Sequence, residues 1–90
     1  MPARRVRYVG QGLEVQSLMF SRDVWDVAEA KAWAAKHNFY SDKVDVQANT
    51  IRLRQYNPSI YFPKSFRVIP MGVDSGVQAT VAKRLHARKR

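Results

Sequence analysis

Arginine and aromatic side chains carry most of the chemistry this sequence offers. In Thr50-Ile51-Arg52-Leu53-Arg54-Gln55-Tyr56 apolar and polar residues alternate with period two. On a strand that puts Arg52, Arg54 and Tyr56 on one face and Ile51, Leu53 and Gln55 on the other. Guanidinium groups interleaved with flat rings suit phosphate contact together with base stacking. Arg67, in a later strand-like stretch, joins that face if the two strands pair, and Tyr61 and Phe62 in the intervening loop fall beside it. The plainer alternative is that these arginines cover the solvent side of a sheet and pair across strands with Glu14, Asp42 or Asp45.

A second set of cations sits at the two ends. The 90 residues carry sixteen Lys and Arg against seven Asp and Glu, a formal charge of +9. Residues 1–10 hold Arg4, Arg5 and Arg7 with no acid, and residues 81–90 hold Lys83, Arg84, Arg88, Lys89 and Arg90 with no acid. The seventy residues between them hold eight basic side chains and seven acidic ones, so they are nearly neutral. Basic ends on a neutral centre are drawn to polyanions, either nucleic acid phosphates or an acidic protein face.

Other chemistries lack their residues. Cysteine is absent, which removes disulfides, thiolate zinc sites and cysteine nucleophiles together. His37 falls on the apolar face of a helical pattern, where a hydrogen-bonded core or cap role is the commoner one, and His86 lies in the basic end. Asp42 and Asp45 without a histidine or third acid do not make a metal constellation. Gly10-Gln11-Gly12 lacks the third glycine and preceding strand of a dinucleotide loop, and no nucleophile-elbow pattern surrounds any serine. The expectation is a binding module, not an enzyme, with no cofactor and no metal. No stretch reads as a signal peptide or approaches the roughly 18 apolar residues of a membrane span. With the missing cysteine this predicts a cytoplasmic setting in a host cell, the virion being the alternative.

The elements that must position these residues follow from periodicity. Leu13–Phe20 reads as a strand, with Glu14 and Gln16 alternating against Leu13 and Val15. Asp26-Val-Ala-Glu29 has capping-box spacing, and Val27, Ala30, Trp33, Ala34 and His37 then follow one helical face, with Asn38 suited to the left-handed closing position. Trp33 is the expected anchor of helix to sheet. Lys43–Gln47 and Thr50–Tyr56 predict a hairpin about Ala48-Asn49, with Val44, Val46, Ile51 and Leu53 as core. Residues 57–63 are broken by Pro58 and Pro63 into a loop with exposed or half-buried aromatics. Strands are expected at Ser65–Ile69, ended by Pro70, and at Val77–Val81. Strand, helix, then four strands predicts an α+β, two-layer domain: one amphipathic helix on a mostly antiparallel sheet of about five strands. The divisions are a basic arm at 1–12, one domain at 13–82 and a basic tail at 83–90.

Several short motifs also resemble a family. Phe20-Ser-Arg-Asp-Val-Trp25, Ala30-Lys-Ala-Trp33, His37-Asn-Phe39, Lys43-Val-Asp45, Arg52-Leu-Arg54-Gln55 and Phe66-Arg67-Val-Ile-Pro70 are similar to a small uncharacterised domain of phage and prophage proteins. In some of these it precedes an XkdF-like head-maturation protease domain. The resemblance spans about residues 15–80 and excludes both basic ends. Ala34 stands where the pattern usually has a large aliphatic residue and Asn38 where it usually has glycine. The resemblance implies a phage or mobile-element origin; it brings no protease residues.

Together these readings predict a non-enzymatic, phage-type module that contacts DNA or RNA phosphates through Arg4, Arg5, Arg7, Lys83, Arg84, Arg88, Lys89 and Arg90, with Arg52, Arg54 and Arg67 positioning the sheet. One alternative is a virion or assembly protein, with an oligomer as one of its forms, whose arms and Tyr56, Tyr61 and Phe62 bind neighbouring or acidic protein surfaces. Another is a small inhibitor of a host protein. A membrane partner is not expected.

Overall fold

The capping box seen in the sequence forms as expected. In the computed structural model, which describes residues 12–72 and 74–86, the Glu29 amide donates to Asp26 Oδ1 at 2.8 Å and the Asp26 amide donates to Glu29 Oε1 at 3.0 Å. These bonds satisfy two of the amides a helix start leaves open, and helix α1 runs from Val27 to Lys36. It closes through Asn38, whose φ of 64° is left-handed, with the Phe39 amide returning to Ala34 O at 2.8 Å.

Five strands make one antiparallel sheet: β1 (Leu13–Ser21), β2 (Val44–Val46), β3 (Thr50–Arg54), β4 (Arg67–Pro70) and β5 (Val77–Lys83), in the order β2-β3-β1-β5-β4. The predicted α+β architecture is therefore the observed one. Helix α1 covers one face, where Ala30 and Ala34 join Val15, Leu18, Phe20, Ile51, Leu53, Val77, Ala79 and Val81 in a single core. Trp33 does not reach as deep as expected. It is half-buried, edge-on to Phe20 at 5.7 Å and stacked on His37 at 3.9 Å, while the two alanines are fully buried. Small residues let the helix backbone approach the sheet, and the indole closes the flank. His37 acts at the cap, with Nδ1 2.8 Å from Trp33 O.

The alternation read for β1 breaks at a bulge. Val15 pairs with Val81 and Ser17 with Thr80, leaving Gln16 as the extra residue. An extra residue resets the parity, so Leu13 and Val15 share the helix face with Leu18 and Phe20. Glu14 and Gln16, which the alternation set against Leu13 and Val15, are themselves buried. Gln16 uses the bulge to hold the chain after β3: its carbonyl accepts from the Gln55 amide at 2.8 Å, and its Nε2 donates to Tyr56 O at 2.9 Å.

Two other expectations shift for positional reasons. Val46 lies on the edge strand β2, which has a neighbour on one side alone, and is 49% exposed; Ile51 and Leu53 one strand inward are buried. The loop 57–66 contains two short 3-10 turns, Pro58–Ile60 and Pro63–Ser65, so the following strand starts at Arg67 and not at Ser65. The loop is also tied to β5. Phe62 N donates to Lys83 O at 2.9 Å, Leu85 N donates to Ile60 O at 2.9 Å, and Tyr61 bridges Arg84. Regular pairing thus continues through Lys83 and Arg84, past the boundary at 82 drawn from the hydrophobic pattern.

Candidate nucleic-acid interface

Each predicted site residue falls into one of four places. Arg4, Arg5, Arg7, Arg88, Lys89 and Arg90 lie outside the described residues. Their points of attachment do not: β1 begins and β5 ends at the same end of the sheet, where Leu13 and Lys83 are register partners on adjacent central strands.

Arg52 and Arg54 lie on the sheet face away from the helix, as the alternation predicted. Arg52 stands opposite Met19 and Asp45. It is half-buried, its Nη2 is 3.6 Å from Met19 Sδ, and its Nε is buried without a hydrogen-bond partner. Arg54 is exposed and borders a small pocket with Tyr40, Asp42 and Lys43. Arg67 does not join them. β4 pairs with β5 and not with β3, and Arg67 stands opposite the core residue Val81, which turns it to the helix side of the sheet.

Adjacent residues Lys83 and Arg84, read alike from sequence, point to opposite faces and meet opposite environments. Arg84 donates through Nε at 3.1 Å and Nη2 at 2.6 Å to Glu14 Oε1, which is also the acceptor for the Tyr61 hydroxyl at 2.8 Å. The guanidinium carbon lies 5.1 Å from the Tyr56 ring centre and 5.8 Å from that of Tyr61. A carboxylate buried to this depth is tolerable only when paired and hydrogen-bonded, which is the service Arg84 provides. Partial burial opposes the Arg84 charge, but the hydrogen bond and charge of Glu14 outweigh it and raise the guanidinium pKa. Burial, reinforced by the bond to Glu14 and its charge, pushes the Tyr61 phenol well above its ordinary range. Arg84 is thus a structural cation within the domain, not part of a free tail.

The same contacts take apart the expected aromatic anchor patch. Tyr61 is 2% exposed, against an expectation of half-burial or less, and packs edge-on to Phe66 at 5.8 Å. Tyr56 is half-buried between Arg84 and Tyr40. Phe62 alone of the three is well exposed, at 43%.

Phe62 has different company. Together with Lys64, Ser65, Arg67 and Lys83 it lines a shallow depression of about 430 Å³ on the helix side of the β4–β5 end. The depression is braced from below: Ser65 Oγ accepts from the Lys83 amide at 2.8 Å and donates to Phe62 O at 2.8 Å. Lys64, Arg67 and Lys83 are all exposed. The ion pair found among the described residues uses Arg84 and Glu14, and none of these three. No local signal marks Lys64, because its neighbours Pro63 and Ser65 read only as loop; the link through Ser65 to β5 is what brings it beside Lys83.

A second groove, of about 410 Å³, opens at the far end of the sheet beside Met19, Thr50, Asp74, Ser75 and Gln78. Its lining mixes polar and apolar residues, carries an acid, and has no lysine or arginine. Among the described residues no group of three or more His, Asp or Glu is arranged to hold a metal ion, and no helix is long and apolar enough to cross a membrane. Comparison with protein-family models, curated proteins and solved structures returned no match to this chain.

Proposed function

We propose that the protein is a non-enzymatic, phage-type module that binds nucleic acid through cations gathered at one end of its sheet. The observation that carries this reading is the pairing of Leu13 with Lys83. Because of it, the chain that leads back to Arg4, Arg5 and Arg7 and the chain that leads on to Arg88, Lys89 and Arg90 depart from adjacent strands at the end of the sheet where Lys83 joins Lys64 and Arg67 in one depression. Charges on two separate ends of a chain would each meet a polyanion weakly; charges anchored at one place meet it together, and each neutralised phosphate releases counterions. Arg84 is left out of the set because Glu14 already holds its charge, and Arg52 because its guanidinium lies against Met19. Arg54 contributes as an exposed cation on the other face.

The experiment is a titration of labelled oligonucleotides, followed by fluorescence anisotropy at 50 mM salt, with nuclease-treated protein. Replacing Arg4, Arg5 and Arg7 by Gln, or Arg88, Lys89 and Arg90 by Gln, is expected to weaken binding in each case and to leave the melting temperature unchanged. Undiminished affinity after both sets are neutralised would overturn the proposal.

A further inference from the structure

We infer that the depression around Phe62 takes an unpaired base, so that the preferred partner is single-stranded nucleic acid and not duplex; the inference rests on the nucleic-acid reading above. The first ground is the phenyl ring. Among the described residues Phe62 is one of six large apolar side chains left substantially exposed, and it sits at the start of a 3-10 turn, Pro63–Ser65, where the Ser65 hydroxyl and the Lys83 backbone hold it in place. A flat ring presented on a braced loop gives a base a surface to stack on without a further ordering cost. The second ground is charge. Lys64, Arg67 and Lys83 rim the depression, and all three are exposed and outside the ion pair that Glu14 makes. A ring surrounded by cations matches a nucleotide, whose base is flat and whose phosphate is anionic. An apolar protein segment would use the ring and leave three charges without a role; an acidic one would use the charges and leave the ring.

A duplex satisfies this site poorly, since its bases are already stacked on one another and only its phosphates are within reach of the rim. A single strand offers both. Base-on-aromatic stacking contributes about 5- to 160-fold in affinity per base and is tolerant of sequence. No base specificity is therefore expected, and thymidine and uridine oligomers should behave alike at Phe62.

The test compares a thymidine 12-mer with an abasic 12-mer of the same backbone and charge, each labelled, against the full chain. The unaltered protein should bind the thymidine strand about tenfold more tightly. Phe62→Ala should lose that preference while keeping its affinity for the abasic strand, and Phe62→Trp should restore it. Lys83→Gln and Arg67→Gln should weaken both strands in proportion. Circular dichroism melts of each variant confirm the fold, and the comparison of two strands on unaltered protein needs no variant. Equal affinity for both strands, or a preference that survives Phe62→Ala, overturns the stacking site and leaves the arm-based reading standing. Failure to bind either strand at 50 mM salt overturns both. Binding of polyglutamate as tight as that of the thymidine strand overturns the base-binding inference in favour of an acidic protein partner.

Discussion

Replacing Arg84 by Ala separates the structural cation from its neighbour more sharply than any other change. Glu14 is 1% exposed, and its Oε1 accepts three hydrogen bonds, two of them from Arg84. Removing one partner of a fully buried ion pair costs about 3–5 kcal/mol, because the other charge is left uncompensated. Here the cost is reduced, since the Arg84 side chain is 21% accessible and water can enter the space it vacates, while the Tyr61 hydroxyl still donates at 2.8 Å. About 2–3 kcal/mol remains, a large part of the roughly 5–13 kcal/mol expected for a domain of this size. At about 4–8 °C per kcal/mol, the melting temperature should fall by roughly 10–20 °C. Lys83→Ala, one residue earlier, removes an exposed side chain and should stay within about 0.5 kcal/mol of the unaltered protein. The double change Glu14→Gln with Arg84→Ala should recover most of the loss: no charge is stranded, and the glutamine oxygen still accepts from Tyr61. Calorimetry or thermal circular dichroism on the four proteins reads all of this. An Arg84→Ala melt within 3 °C of the unaltered protein, or a Lys83→Ala melt as low as that of Arg84→Ala, would refute the buried pair.

Two further perturbations test the packing around this frame. Tyr61 has a phenol pKa raised on folding, so between the unfolded value near 10 and the folded one the native state holds a proton that the unfolded state has lost. Stability from this group is complete below about pH 10 and falls above it, by at most about 1.4 kcal/mol per pH unit; urea melts at pH 9 and 11 should show a smaller loss for Tyr61→Phe than for the unaltered chain. Gly76 has a φ of 73°, and a Cβ there would lie 2.7 Å from Val24 Cγ2 and 3.2 Å from Trp25 Nε1. Gly76→Ala should therefore cost about 2 kcal/mol and disturb the bond from Trp25 Nε1 to Ser75 O, visible as a change in tryptophan emission; an unchanged melt and spectrum would count against the turn geometry.

How far the sequence announced this structure depends on the range of the signal. The capping box needs only Asp26 and Glu29, three residues apart, and the hairpin needs only two alternating runs about Ala48-Asn49; the box formed as read, and the hairpin formed about the same turn with shorter strands and Val46 left exposed. Glu14 and Arg84 are seventy positions apart, and nothing local marks one as the partner of the other. The bulge at Gln16 has no glycine or proline to announce it, yet it decides which side of the sheet the preceding residues face. Tyr61 lies between two prolines and so read as loop, whereas its burial depends on the bridge to Arg84 on a distant strand. For the candidate site, the composition of the cationic set was largely visible, but its arrangement was not. The alternation on β3 correctly grouped Arg52 with Arg54, while Arg67 required the strand order, and the gathering of Phe62, Lys64, Arg67 and Lys83 required the hydrogen bonds of Ser65.

The central claim is that cations anchored at one end of the sheet act jointly on phosphates. It is tested most directly by measuring the affinity for one labelled single strand across 50–300 mM salt. If about six phosphates are contacted, the logarithm of the association constant should fall with the logarithm of salt concentration at a slope near −4, or near −5 on a duplex. Neutralising Arg88, Lys89 and Arg90 should bring the single-strand slope to about −2. An affinity that does not change with salt, or a slope unaffected by that triple substitution, would contradict it.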